Sequence, residues 1–110
     1  MSEDKIVVNI DIDLEDLIPG FLENRQSDIQ KLEQALGDED FETLRSIGHN
    51  LKGVGGGYGF HDMTAIGAAI EEGAKENKLE IVNENITKLS HYLANVEIVY
   101  EEGYTIRNGQ

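Results

Sequence analysis

The chain has 110 residues, 39% of them hydrophobic and 28% charged, which suits one compact globular domain and is too short for a nucleotide-binding domain plus a substrate domain. Its formal charge of -13, from 22 acidic against 9 basic residues, repels phosphate backbones and anionic headgroups and so argues against nucleic acid and membrane as partners. Cysteine is absent, which excludes disulfide and thiolate chemistry; with no apolar run near the roughly 20 residues that span a bilayer and no signal-peptide layout in MSEDK, a cytoplasmic location is expected.

Between Lys5 and Asp13, Ile6, Val8, Ile10 and Ile12 alternate with mostly polar neighbours, which is strand periodicity. A strand needs a partner, and the other alternating β-branched cluster is Val96, Ile98 and Tyr100. The pattern predicts a short two-stranded β ribbon joining the N- and C-terminal segments; its alternative is an extended arm, residues 1–12, packed on helices.

From Asp13 the period changes. Leu14, Leu17, Phe21, Ile29, Leu32 and Leu36 mark a first amphipathic helix ending at Gly37, with Pro19 near its start where a missing backbone donor is tolerated. Asp38, Glu39 and Asp40 place acidic groups at the start of a second helix, whose stripe is Phe41, Leu44, Ile47, Leu51 and Val54. A third helix, capped by Asp62, turns Met63, Ile66, Ile70 and Ala74 inward and stops before Asn77. The fourth carries Leu79, Val82, Ile86, Leu89, Leu93, Val96 and Tyr100 at alternating spacings of three and four. Four amphipathic helices with short connections predict an all-α, antiparallel up-and-down four-helix bundle over residues 13–102, followed by a mobile tail over residues 103–110 with two glycines and an asparagine.

The second helix holds the chemistry. At about 100° per residue, His49 lies roughly 160° from its apolar neighbours Ile47 and Leu51, so its imidazole faces solvent. Lys52 and Gly53 fall within about 60° of it, Gly56 is nearly in line, and Arg45 shares the face. Glycine inside a helix costs about 1 kcal/mol relative to alanine, yet Gly48, Gly53, Gly55, Gly56, Gly57 and Gly59 crowd this histidine. Stripped of neighbouring side chains, the ring can be approached closely by another protein. An ordinary imidazole, with a pKa of about 6.5, keeps a large neutral and nucleophilic fraction near neutral pH. A nearby ammonium such as Lys52 can meet the oxygens of a transferring phosphoryl group.

The run His49-Asn50-Leu51-Lys52-Gly53-Val54-Gly55-Gly56-Gly57-Tyr58-Gly59-Phe60 resembles the signature of the histidine-containing phosphotransfer (HPt) domain family: a histidine, then leucine, lysine-glycine, small residues and a further glycine. Leu17 to Leu22, the turn from Gly37 to Leu44, and Ile70-Glu71 are also similar to the family, so the resemblance extends from Leu14 to Val96. It implies a phosphocarrier in a two-component multistep phosphorelay, with His49 exchanging a phosphoryl group with an aspartate on the receiver domain of a response regulator or hybrid sensor kinase. It implies that Lys52 assists the phosphoryl group and that Gly53 and Gly56 make room for the receiver; Arg45, placed on the same face by helical phase, is expected to join the partner-binding surface. It also implies no kinase activity of the chain's own, no ATP or other cofactor, and a Mg²⁺ ion on the receiver partner. A monomer is expected. Val54 and the triple glycine depart from the family's usual small or hydroxylated residues, which bears on partner choice.

Competing readings are weaker. No Gly-Lys-Ser/Thr follows the glycine run, so a nucleotide loop is disfavoured. His61 and His91 are too scattered for a metal site and read as surface or cap residues. Glu71 and Glu72, adjacent on a helix and about 100° apart, read as a solvated face. Tyr58, Phe60 and Phe21 read as core packing. The alternative function is a helical interaction module that binds and modulates a signalling partner without being phosphorylated.

Overall fold

The computed structural model describes residues 5–102. The tail expected over 103–110 and the first four residues of the N-terminal arm lie outside the described residues. Strand β1 (Ile6–Asp11) leads through a 3₁₀ turn at Ile12–Leu14 into helices α1 (Ile18–Gly37), α2 (Phe41–Gly57), α3 (His61–Lys75) and α4 (Leu79–Asn95), and α4 runs directly into strand β2 (Val96–Glu101). Each helix packs on its sequence neighbours, and α1 also meets α4, which closes the four into a ring. Leu32, Leu44, Leu51, Phe60, Met63, Ile70, Val82 and Leu89 are fully buried at its centre.

The three connections between helices are built alike. Residues 38–40, 58–60 and 76–78 each place their middle residue at positive φ: Glu39 at 54°, Gly59 at 94° and Asn77 at 58°. In each, the third residue donates its backbone N–H to a carbonyl five residues back: Asp40 to Ala35 at 2.9 Å, Phe60 to Gly55 at 2.8 Å and Lys78 to Gly73 at 2.9 Å. This is the Schellman closure, which satisfies carbonyls orphaned at a helix end. The same third residue starts the next helix, so one short loop both stops and restarts the chain. At the second connection the positive φ and the nearness of Ile10, whose Cδ1 would lie 3.0 Å from an added Cβ, both demand glycine.

Several boundaries differ from the sequence pattern. Leu14 sits in the 3₁₀ turn and Leu17 precedes α1 and is 53% exposed; α1 begins at Ile18 with Pro19 in its first turn. Asp62 does not cap α3: Phe60 holds the cap position without a side-chain bond, and Asp62 contributes only a negative charge in the first turn. Asp40 does cap α2, accepting from Thr43 N at 3.1 Å and from Thr43 Oγ1 at 2.7 Å; these bonds hold its carboxyl below the ordinary value. The heptad-like spacing through Val96 and Tyr100 does not prolong α4, because the backbone turns extended at Val96 and alternation takes over from helical period. The expected ribbon forms, with parallel strands in register from Ile6 opposite Val96 to Asp11 opposite Glu101. Ile6, Val8, Ile10, Ile98 and Tyr100 turn toward the core, while Val7 and Val99 face outward.

Phe21 stacks on Tyr58 at 4.4 Å and on Phe60 at 5.1 Å, so all three aromatics serve packing. Arg25 lies over the Phe21 ring at 4.8 Å and pairs with Asp28 at 2.8 Å, both side chains nearly buried. Among the described residues no helix is long and apolar enough to cross a membrane.

Candidate functional site

Helix α2 presents His49 at its middle, with the side chain 69% exposed. Ile47 and Leu51 on either side point inward, Leu51 completely, so the amphipathic stripe that anchors α2 is what holds the imidazole out. The closest neighbour comes from another helix. Glu71 on α3 places Oε2 3.0 Å from His49 Nδ1 and Oε1 2.9 Å from Lys52 Nζ. One carboxylate thus clamps two side chains a helical turn apart on α2.

Glu71 is the feature that sequence reasoning misread. Its side chain is only 17% exposed, unlike Glu72, which stands in solvent beside Lys75. The bond from Lys52, aided by that from His49, holds its carboxyl below the ordinary range against a smaller desolvation penalty, so it is ionised at neutral pH. An ionised carboxylate can only accept. The proton in this hydrogen bond therefore sits on Nδ1, which leaves Nε2 with the free lone pair when the ring is neutral.

Glycine makes this approach of α3 to α2 possible. A Cβ on Gly48 would lie 2.7 Å from Glu71 N and 2.9 Å from Gly67 O, and a Cβ on Gly67 would lie 2.6 Å from Lys52 N. The two helices touch backbone to backbone at this level. Gly55 is likewise pressed against α3 at Thr64, 2.9 Å from an added Cβ. The glycines around His49 are therefore of two kinds, and the idea that all six clear space for a visitor is corrected. Gly53 and Gly57 have nothing within 4 Å of an added Cβ, and Gly56 is exposed with only Thr64 Oγ1 at 3.4 Å. These three are the cleared ground beside His49.

Arg45 lies one turn before His49 and is exposed. With Glu42, Ser46, His49 and Glu71 it lines a shallow hollow of about 460 Å³. His61, exposed at the first position of α3, and His91, whose Nδ1 lies 3.3 Å from Asn95 Nδ2, stand apart from this cluster. No group of three or more potential metal ligands occurs among the described residues.

The family model for the Hpt domain matches residues 16–98, from just before α1 into β2. The chain belongs to the Hpt domain family. Comparison with curated proteins and with solved structures gives no match. Hpt domains act as phosphocarriers on a histidine in two-component phosphorelays and generally meet receiver domains. In this Hpt domain His49 is the histidine exposed at mid-helix with its ring held by a buried-side carboxylate, and Lys52 is the cation tied to the same group. Sequence gave no local sign of that tie: Glu71 is 22 residues from His49, and only the resemblance at Ile70-Glu71 touched it. The pairing of Gly48 with Gly67 was the physical signal available, since small residues facing one another let helix backbones approach.

Proposed function

We propose that this Hpt domain carries a phosphoryl group on His49 Nε2, exchanging it with an aspartate of a receiver domain in a response regulator or hybrid sensor kinase. The observation that carries the reading is the Glu71 hydrogen bond to Nδ1 of an otherwise exposed imidazole. The lone pair on Nε2 attacks phosphorus of the aspartyl phosphate, the P–O bond breaks, and the aspartate leaves as carboxylate. No proton need move, because Nδ1–H stays on Glu71 while the ring becomes cationic. The carboxylate stabilises that developing charge at no cost in reorganisation. Lys52, anchored by the other oxygen of Glu71, steadies the carboxylate that orients the ring.

Gly53 and Gly56 give the receiver room to bring its aspartate within reach, and Arg45 borders the same face. Mg²⁺ belongs to the receiver's acidic pocket, this chain supplies no nucleotide site, and it works as a cytoplasmic monomer. The antiparallel up-and-down course of the helices is part of the same reading and is supported by the three short Schellman connections, which turn each helix back on the last.

The test is incubation of the wild type and His49→Gln with a phosphorylated receiver. The wild type should take up an acid-labile, base-stable label and the variant none. Equal labelling, or equal modulation of the partner with no label on either, would favour a module that binds without being phosphorylated.

A further inference from the structure

Two cations flank His49 on α2, and they are not equivalent. Lys52 is committed, with its ammonium 2.9 Å from Glu71 Oε1. Arg45, by contrast, has no carboxylate within ion-pair distance among the described residues, although the chain carries more than twice as many acids as bases. Its neighbour Glu42, three residues earlier on the same face, does not pair with it.

The placement of Arg45 favours it as well. Side chains on a helix lean toward its N-terminus, the side on which Arg45 and Ser46 stand one turn before His49. Those residues, with Glu42 and Glu71, line the hollow at His49. With Nδ1 taken by Glu71, the group on Nε2 is carried at the open side of the ring. A guanidinium is planar and can give two parallel N–H bonds to a phosphoryl group, which an ammonium cannot match.

We propose that the hollow at His49 is an oxyanion seat for the phosphoryl group carried on Nε2, with Arg45 as the residue that binds its oxygens and Lys52 acting only through Glu71. This rests on the reading of His49 as the phosphorylated residue. Glu42 and Glu71 put negative charge at the rim of the same hollow, so the seat holds the dianion without trapping it.

The test uses the whole chain and a small phosphoryl donor, phosphoramidate, so that no partner's docking enters. The donor's P–N bond breaks, phosphorus bonds to Nε2 and ammonia departs. Labelling rate is followed by intact mass, and the second ionisation of the bound phosphoryl group by the pH dependence of its ³¹P shift. A cation on the oxygens lowers that ionisation. Arg45→Ala should therefore raise it by roughly half a unit and slow labelling about three- to tenfold, an effect sized for a solvent-exposed contact. Arg45→Lys should restore most of the ionisation shift, and Lys52→Ala should move it less than Arg45→Ala does. The seat is refuted if phosphorylated Arg45→Ala titrates as the wild type, or if Lys52→Ala gives the larger shift. A wild type whose His49 takes no label, located by peptide mass so that labelling of the exposed His61 or His91 is not mistaken for it, would instead refute the phosphotransfer reading itself.

Discussion

Replacing Gly48 and Gly53 with alanine, one at a time, should move stability in opposite directions although the two positions lie five residues apart on one helix. Both changes gain the helix propensity of alanine over glycine, about 1 kcal/mol. At Gly53 nothing lies within 4 Å of the new methyl, so the gain stands. At Gly48 the methyl meets Glu71 N at 2.7 Å, Gly67 O at 2.9 Å and Ile70 Cγ2 at 3.0 Å. Two of these are backbone atoms, which cannot swing aside, and α3 must move as a body. Overpacking of a fitted interior costs about 1–3 kcal/mol. With backbone as the obstacle the upper end applies, and the net loss is about 2 kcal/mol.

The two variants should thus differ by about 3 kcal/mol. With a urea slope of about 2 kcal/mol/M for a domain this small, their unfolding midpoints should separate by roughly 1–2 M, on either side of the wild type. The same displacement carries Glu71 away from His49, because the atom struck is Glu71's own amide. Gly48→Ala should therefore also slow labelling by phosphoramidate, whereas Gly53→Ala should not, since that methyl obstructs only a docking protein. Unfolding midpoints that rise for both variants would refute the account of Gly48 as the contact that seats α3 on α2.

Glu71→Gln keeps an oxygen for His49 Nδ1 but removes the negative charge that stabilises the ring as it becomes cationic, so labelling of His49 should slow several-fold, read by intact mass. Because its carboxyl is held below the ordinary value, the clamp's contribution to stability is complete above the usual carboxylate pKa of about 4.3 and is lost as pH falls through the lowered one. The acid-unfolding profile of Glu71→Gln should accordingly lose that part of the wild type's pH dependence. Tyr92, with its phenol pushed up to about 12 by burial and next by the charge of Asp62, should ionise well above the ordinary tyrosine value of about 10 in an ultraviolet titration, and Tyr92→Phe should remove that late step. Its raised value means that stability is full below pH 10 and falls as the pH climbs from there toward 12. Glu39→Gly should raise the melting temperature, because φ of 54° costs a non-glycine residue roughly 1 kcal/mol; an unchanged melting temperature would show the turn to be unstrained.

What could be seen in the sequence follows from the range of the interaction concerned. The exposure of His49 was legible because helical phase is local: once Ile47 and Leu51 point in, the residue between them points out. The cores of α2, α3 and α4 were legible for the same reason. The end of α4 was not, because Leu93, Val96 and Tyr100 satisfy helical spacing while Val96, Ile98 and Tyr100 satisfy alternation, and pairing with Ile6–Asp11 decides between them. The start of α1 misled in a similar way, since Leu17 has the right spacing but no core beneath it. Asp62 looked like a cap by type and place, yet the Schellman bond from Phe60 N to Gly55 O fixes the turn two residues earlier.

Glu71 illustrates the remaining case, in which the information was present but divided between two helices. On α3 alone it is one acid of an adjacent pair. On α2 alone, Gly48 looks like one more glycine near a histidine. Only the contact of Gly48 with Gly67, which brings the two backbones together, turns them into one device: a narrow gap, a carboxylate lowered into it, and an imidazole pinned by one edge with the other left open. The glycine pair therefore affects chemistry through distance rather than flexibility. In this Hpt domain, a substitution that opens that gap by even the width of a methyl group should cost phosphotransfer before it costs the fold.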